Sequence, residues 1–529
     1  MKHYIIAFLT IFTILTTSCR NDFDFEPNVG NLKFSRDTIY LDTVFTTIGS
    51  STYTLKVYNK SDKNISIPNL RLGKGESSKY RLMVDGMPGK VFENVELLAK
   101  DSMFIFIEVT ADVADANPGD FLYTDQIQFG NNSEFQTVEL VTLIQDAYFI
   151  FPQRTLNPDD TYTYESLTLG LDEEGNPITI QGQFLDSDDP DNGNELHWTN
   201  EKPYVIYGYA AVPPNETLVV DAGARIHFHA ESGLIIANNA SLHVEGGYSS
   251  TEDLENEVIF EGDRLEPDFS EVPGQWGTIW FTQGSTNNMI SNLTIKNATV
   301  GMLIEGNDGT STPTVDMQNI QIYNCSNVGI LARTANITGK NMVVNKCGQA
   351  SIACTLGGSY EFTHCTFANY WPVPNQFCVV LNDYLETANQ ILVEPLVKAE
   401  FKNCILYGSP NLSLSIDKQG NGPDTNDPNF NYLFDSCLLK FVDSSHFYAS
   451  NPLYQFTGAN YLNSLIATNT TSNRPDFKDP NNNELIIGED SFARGLANSS
   501  YSTFNDILNN QRNLTVGFDS GAYNWTTFN

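Results

Sequence analysis

Thr217-Leu218-Val219-Val220, Ala224-Arg225-Ile226-His227-Phe228, Gly233-Leu234-Ile235-Ile236, Ala240-Ser241-Leu242-His243-Val244 and Glu257-Val258-Ile259-Phe260 are five short apolar runs, each bounded by turn residues. None is long enough for a helix, and no 3.6-residue period links them. Each run alternates or is continuously apolar, as a strand with one buried face would be. From Trp198 to roughly Phe477 the pattern recurs loosely every ~18–27 residues, a period that marks stacked coils. Each coil would bury one face inward and pair with the coils above and below, about 4.8 Å apart. The reading is a parallel β-helix over residues 198–478.

A second regularity supports the stack. Lys296-Asn297-Ala298, Tyr323-Asn324-Cys325, Lys346-Cys347, His364-Cys365, Asn403-Cys404 and Ser436-Cys437 each follow a short apolar strand. Placed on successive coils, the small residue recurs at one inward corner, with residues 325, 347 and 365 one above another. Asparagine beside it can form a side-chain ladder. The seven cysteines after Cys19 are odd in number and form no CxxC pair. A disulfide framework or zinc site is therefore not expected, and the thiols read as small buried hydrophobes.

Upstream, residues 31–147 read as a separate antiparallel β-sandwich of immunoglobulin-like type. Tyr53, Leu55 and Val57 alternate with polar neighbours, Met103 to Val109 is a strong β run, and Ile127, Phe129, Val138 and Leu140 continue the period of two. Residues 148–197 read as an irregular acidic linker. Residues 479–529 read as a final coil and C-terminal cap, because a stacked core must be closed at its end. At the other end, Lys2 and His3 precede an apolar run from Tyr4 to Leu15, then Thr16, Thr17, Ser18 and Cys19. That is a signal peptide over residues 1–18, its apolar run too short to span a bilayer. The small residues before Cys19 resemble a lipobox, which makes Cys19 the lipidation site. Residues 19–30 then form an acidic tether.

Pro273-Gly274-Gln275-Trp276-Gly277-Thr278-Ile279-Trp280, preceded by Gly262-Asp263-Arg264-Leu265-Glu266-Pro267, resembles the signature of uncharacterised β-helix lipoproteins of Gram-negative bacteria. His364-Cys365-Thr366-Phe367-Ala368-Asn369-Tyr370-Trp371, Gly517-Phe518-Asp519-Ser520-Gly521-Ala522-Tyr523 and Phe45-Thr46-Thr47-Ile48-Gly49-Ser50 are similar to the same group. The resemblance implies an all-β chain: an N-terminal β-sandwich followed by a right-handed parallel β-helix of the pectate-lyase-like fold. It also implies an outer-membrane lipoprotein, on the cell surface or the periplasmic face. It carries no established activity or catalytic residues.

Three constellations could carry chemistry. Trp276, Trp280, Tyr370 and Trp371, flanked by Arg264 and Glu266, are the type of group that stacks on the apolar face of a neutral sugar; alternatively Trp276 and Trp280 pack under a loop. His227, His229 and His243 lie on neighbouring strands and could approach within metal-binding reach, against the simpler reading of solvated histidines. The loop Asp186-Ser187-Asp188-Asp189-Pro190-Asp191-Asn192-Gly193-Asn194-Glu195 is rich in calcium-type oxygen ligands, but its spacing departs from an EF-hand. No other cofactor is expected. The arginines and lysines of a pectate-type lyase (Arg225, Arg264, Arg333, Lys296, Lys340, Lys346) show no acidic ladder beside them, and the galacturonase motifs are absent.

The chain has 29 basic and 64 acidic residues, a net charge of -35. Such a field disfavours nucleic acid and anionic lipid headgroups as partners and gives no help in capturing a polyanion. The leading expectation is a non-catalytic binder of glycan or an envelope protein, held to outer-membrane lipid by its acylated cysteine. A polysaccharide lyase or glycoside hydrolase is the alternative, and a purely structural or adhesive surface protein the third.

Overall fold

The computed structural model describes residues 24–28, 30–117, 121–130, 135–171, 175–251, 253–419, 427–501, 505–512 and 517–528. Residues 1–18, Cys19 and the start of the tether lie outside the described residues. The chain is all-β: among the described residues the elements are strands and five short 3-10 turns. Contacts divide it into two units, residues 1–146 and 147–529.

In the first unit, two sheets of six and five strands share one core. Alternation decides which side chains enter it: in Ser102–Val109, Ile105, Ile107 and Val109 are fully buried while Phe104 and Phe106 face out. Most pairings are antiparallel, as expected, but the six-stranded sheet is mixed. Thr38–Phe45 runs parallel to Phe135–Gln145, and Glu26–Pro27 runs parallel to Ile65–Leu72. Strand periodicity sets which face is buried; it carries no information about a neighbour's direction, so the parallel pairs were not legible.

The second unit consists of parallel ladders. Nineteen strands form one sheet and ten another, and beyond an antiparallel hairpin at the start of the smaller sheet the pairings in both are parallel. Val315–Cys325 pairs with Asn288–Lys296 on one side and with Asn336–Lys340 and Val343–Cys347 on the other. One apolar core runs from Ile150 to Tyr461.

Three expectations are corrected. Residues 148–197 are not an irregular linker. Tyr148–Ile150 pairs with Tyr204–Ile206, His197–Trp198 pairs with Thr217–Asp221, and Ile150, Leu185, Leu196 and Trp198 belong to the core. The acidic turn between them masks short strands that open the stack.

The cysteines form two columns, not one. Cys325 and Cys347 are direct partners in one. Cys365, Cys404 and Cys437 share register in another, five residues earlier on the rung. The chain turns a corner at both places, and a small residue follows each, so the local sequences look alike. The first corner is a column of left-handed residues: Asn292, Asn319, Asn341, His364, Asn403, Ser436 and Asn463, with φ between 48° and 57°. Asparagine tolerates that conformation better than other residues with a Cβ. Its amides also bond along the column, Asn341 Nδ2 to Asn319 Oδ1 at 3.1 Å and Asn319 Nδ2 to Asn292 Oδ1 at 3.2 Å. At the other corner, after Asn324 and Lys346, cysteine fits a place where space is short. A Cβ on Gly329 would meet Cys347 Sγ at 3.1 Å and Ser351 O at 2.5 Å.

The C-terminal segment is no cap. It runs across four successive rungs of the larger sheet as a strap. Asn345 Nδ2 donates to Pro480 O, Ala522 N to Thr366 Oγ1, Gly521 N to Asn403 O, and Ser520 Oγ to Ser436 O. Arg512, 3% exposed, donates to Asn341 Oδ1 and to the carbonyls of Asp519, Gly521 and Ala522. The outward faces of Tyr323, Val343, Ala368, Ile405 and Leu438 are apolar, and the strap covers them. An aromatic cluster (Phe441, Tyr448, Tyr454, Phe456, Tyr461) closes the end of the core instead. There the Tyr454 hydroxyl bonds both Ile416 N and Ile416 O on the last strand of the smaller sheet.

Candidate functional site

The residues singled out from sequence are not brought together. Trp276 is 1% exposed, lies flat on Phe228 (centroids 4.3 Å apart, 12° between planes) and donates its indole N–H to Lys296 O at 2.8 Å. It is a core residue and cannot stack on a sugar. Arg264 and Glu266 satisfy each other at 3.0 Å, and the guanidinium rests 3.7 Å from the Phe269 ring centre. Tyr370 packs edge-on against Phe477 of the strap. Trp371 lines a cleft, and Trp280 stands half-buried on the outward face of its strand.

The three histidines do not converge. His227 is buried with Nδ1 3.3 Å from Gly262 O, His243 Nε2 lies 3.0 Å from Asn287 O, and His229 Nδ1 is 2.7 Å from Asp263 Oδ2. The strand Arg225–Phe228 ends before His229, and His243 aligns with Val219 and Met289, not with residue 227. Burial lowers the His227 pKa, whereas the hydrogen bond to the Asp263 carboxylate raises that of His229. Among the described residues no three His, Cys, Asp or Glu side chains are grouped to hold a metal. In the acidic loop, Glu195 accepts from Asp186 N and Asn192 Nδ2, and Asp189 accepts from the amides of Asp191 and Asn192. Those carboxylates tie the loop to itself.

The smaller sheet builds the better site. Its inward positions Met302, Ile330, Ile352 and Val379 are fully buried. The alternate positions form an outward apolar column, Trp280–Leu303–Leu331–Ala353–Val380, and the strand starts Val300–Val328–Ala350–Phe377 form a second outside the main core. At about 4.8 Å per rung the first spans ~19 Å. A cleft of about 730 Å³ lies on this floor, between the Asn327, Gln349 and Asn375 side and the hairpin strand Tyr384–Glu386. It shares Asn375 and Phe377 with a second cleft of about 580 Å³ lined by Trp371, Val373 and Leu412. Beyond Val300 a third, of about 920 Å³, holds Tyr207, Tyr209, His229 and Glu231.

Polar groups are fixed along this groove. Glu305 joins two of them, accepting from Arg333 Nη1 at 2.8 Å and Trp280 Nε1 at 3.0 Å. Asn369, fully buried, braces the Trp371 loop. Its Nδ2 donates to Cys347 O and Phe377 O, and its Oδ1 accepts from Cys347 N and Trp371 N. Asn327 Oδ1, Arg333 Nε and Gln376 Oε1 are buried atoms of the lining with no hydrogen-bond partner. Such atoms are costly unless something supplies a partner. Sequence reading singles out Trp280, Trp371 and, by type alone, Arg333; it misses Glu305, Asn327 and Gln376, because the groove is assembled from separate rungs.

The larger sheet carries a charged cluster on neighbouring rungs, also missed. Glu361 and Glu400 are partners across the ladder. Lys398 and Lys402 reach Glu361 at 2.7 and 3.0 Å, and Lys402 reaches Glu400 at 2.7 Å. Burial works against the Lys402 charge, but its bonds to Glu400 and Glu361 outweigh that and raise its pKa. Burial likewise opposes the Glu361 charge, and the two lysines overcome it and lower the pKa. Glu361 and Lys402 are thereby held ionised, which suits cohesion and not proton transfer at neutral pH.

No family model and no curated protein matches the chain. Solved structures that align with parts of it include a protein of unknown function from Porphyromonas gingivalis W83 (11% identity, 24% of this chain and 56% of that one, TM-score 0.15). A family 123 glycoside hydrolase from Clostridium perfringens aligns at 9% identity over 21% of this chain and 25% of that one, TM-score 0.14. The Agl-KA catalytic domain aligns at 11% over 74% and 80%, TM-score 0.14. The chain thus spans about half of the first and a quarter of the second. At these TM-scores the alignments carry no argument about fold or function.

Proposed function

We propose that the chain is a cell-envelope lipoprotein, anchored through Cys19, in which an immunoglobulin-like sandwich precedes a right-handed parallel β-helix that binds a neutral glycan without cleaving it. The helix reading is supported by parallel partners displaced by one rung throughout, and its hand by the strong preference of parallel crossovers. One observation carries the binding reading: a straight apolar floor, one Trp-lined cleft at its end, and amide and guanidinium groups along its edges. An extended chain with apolar ring faces and hydroxyl edges matches that division. The charge of -35 argues against a polyanionic chain.

The test is a glycan array followed by calorimetry on hits. Wild type binds a neutral polysaccharide; Trp371→Ala and Val380→Asp each weaken binding at least tenfold without lowering Tm. Absence of any neutral-glycan ligand, or equal binding by both variants, defeats the reading.

A second reading rests on the His229–Asp263 pair, whose imidazole lines the third cleft and is placed to accept a proton. It makes the protein a polysaccharide-cleaving enzyme. New reducing ends or unsaturated uronates, abolished by His229→Ala, would favour it over simple binding.

A further inference from the structure

The five-stranded sheet of the first unit turns one face away from its core. On that face Phe104 is 50% exposed, Phe106 40% and Met83 43%. They are contiguous: Phe104 sits opposite Lys56, and Phe106 lies between Thr54 and Met83. Lysines frame them. Lys56 Nζ lies 5.0 Å from the Phe104 ring centre and 5.3 Å from that of Tyr58, and Lys60 Nζ lies 4.4 Å from Tyr58. Lys33 aligns with Tyr58 on the edge strand. The only carboxylate that these strands turn outward is Glu108, 3.4 Å from Arg81. The other sheet is different: its strands turn out Glu93, Glu96 and Glu139.

This is a local reversal of the protein's charge. The first 146 positions carry 13 basic and 19 acidic residues, so the reversal belongs to this face and not to the whole unit. At physiological salt a charge is screened beyond about 8 Å, so acidic groups farther off do not cancel a compact cationic rim. Exclusion of anionic headgroups by net charge therefore does not hold for this face. Exposed phenylalanine and methionine within a ring of lysine is the composition of a surface that enters a lipid interface. A plain solvated sheet face needs no such apolar cluster.

We infer that the Phe104–Phe106–Met83 face is a membrane-contact surface, its apolar side chains entering the interface and Lys33, Lys56, Lys60 and Arg81 meeting phosphate-bearing headgroups. The chain enters this sheet at Leu32, 13 residues after Cys19. Extended, that length reaches at most ~45 Å, so an acyl anchor at Cys19 would hold the face within reach of the bilayer.

The experiment uses the full chain with Cys19→Ser, so that no acyl group contributes. It is sedimented with vesicles of equal parts phosphatidylglycerol and phosphatidylcholine, and with phosphatidylcholine alone. Expected is binding to the mixed vesicles, weaker in high salt and at least tenfold weaker to phosphatidylcholine. Phe104→Ser with Phe106→Ser, and Lys56→Glu with Lys60→Glu, each cut partitioning at least tenfold, while Tyr40→Ser on the opposite sheet leaves it unchanged. Lys56 is half-buried and Phe104, Phe106, Lys60 and Tyr40 are exposed, and unchanged circular dichroism checks folding. No vesicle binding by the Cys19→Ser chain, or equal binding by both double variants, overturns the inference. So does loss of binding in the presence of soluble glycan, which would make this face a sugar site.

Discussion

Truncating Trp276 separates a core residue from a ligand-contact residue. Trp276→Ala removes a side chain that is 1% exposed, stacked on Phe228 and hydrogen-bonded to Lys296 O. Large-to-small changes of a buried Trp cost about 3–5 kcal/mol, and the carbonyl left without its donor adds ~1. The expected loss is therefore about 4–6 kcal/mol. At the low end of the usual conversion for large domains, ~2 °C per kcal/mol, Tm should fall by about 8–12 °C. Trp276→Phe keeps the ring stack and loses mainly the N–H, so it should cost only about 1–2 kcal/mol. The assay is thermal unfolding followed by far-ultraviolet circular dichroism, with glycan binding measured on the folded protein well below Tm. A Tm fall under ~2 °C, or unchanged stability with abolished binding, would refute the burial argument.

Asn319→Ala should destabilise more than Asn319→Gly, by about 1–2 kcal/mol, since both lose the amide ladder but only alanine is strained at φ 57°; equal chemical denaturation midpoints would contradict this. The His229 pKa, followed by NMR of the imidazole, should lie above the ordinary ~6.5 and fall in Asp263→Asn. With the folded value raised, its stabilising contribution is full below the unfolded pKa and lost as pH rises through the folded one; stability insensitive to that window in wild type would count against the pair. The seven cysteines after Cys19 are buried, and burial pushes the Cys378 thiol up to about 12, so a thiol reagent at pH 8 should label them only after denaturation. Rapid labelling of the native chain would mean the columns are not closed.

Short runs such as Thr217-Leu218-Val219-Val220 showed which residues are strands and which faces are buried, because alternation and turn residues are local properties. The same holds for the small-residue corners, although Cys347 and Cys365 looked equivalent and occupy different columns. Five residues separate the two corners of a rung, and nothing in a tripeptide tells one from the other. Trp276 and Trp371 looked alike as aromatic residues near polar ones, yet one is core and the other lines a cleft.

Sequence by itself determined that this is an all-β chain whose second unit is built of short parallel-pairing strands with small residues at the corners. Tertiary structure alone decided that the described residues from 479 to 528 lie along the rungs as a strap, that Tyr148–Ile150 opens the stack, and which side chains share the groove. The physical reason is range. Burial period and left-handed corners are imposed by neighbours within a few positions. The groove and the strap depend on partners tens to well over a hundred residues apart, such as Asn341 with Arg512, whose alignment is set by how many residues each turn of chain consumes.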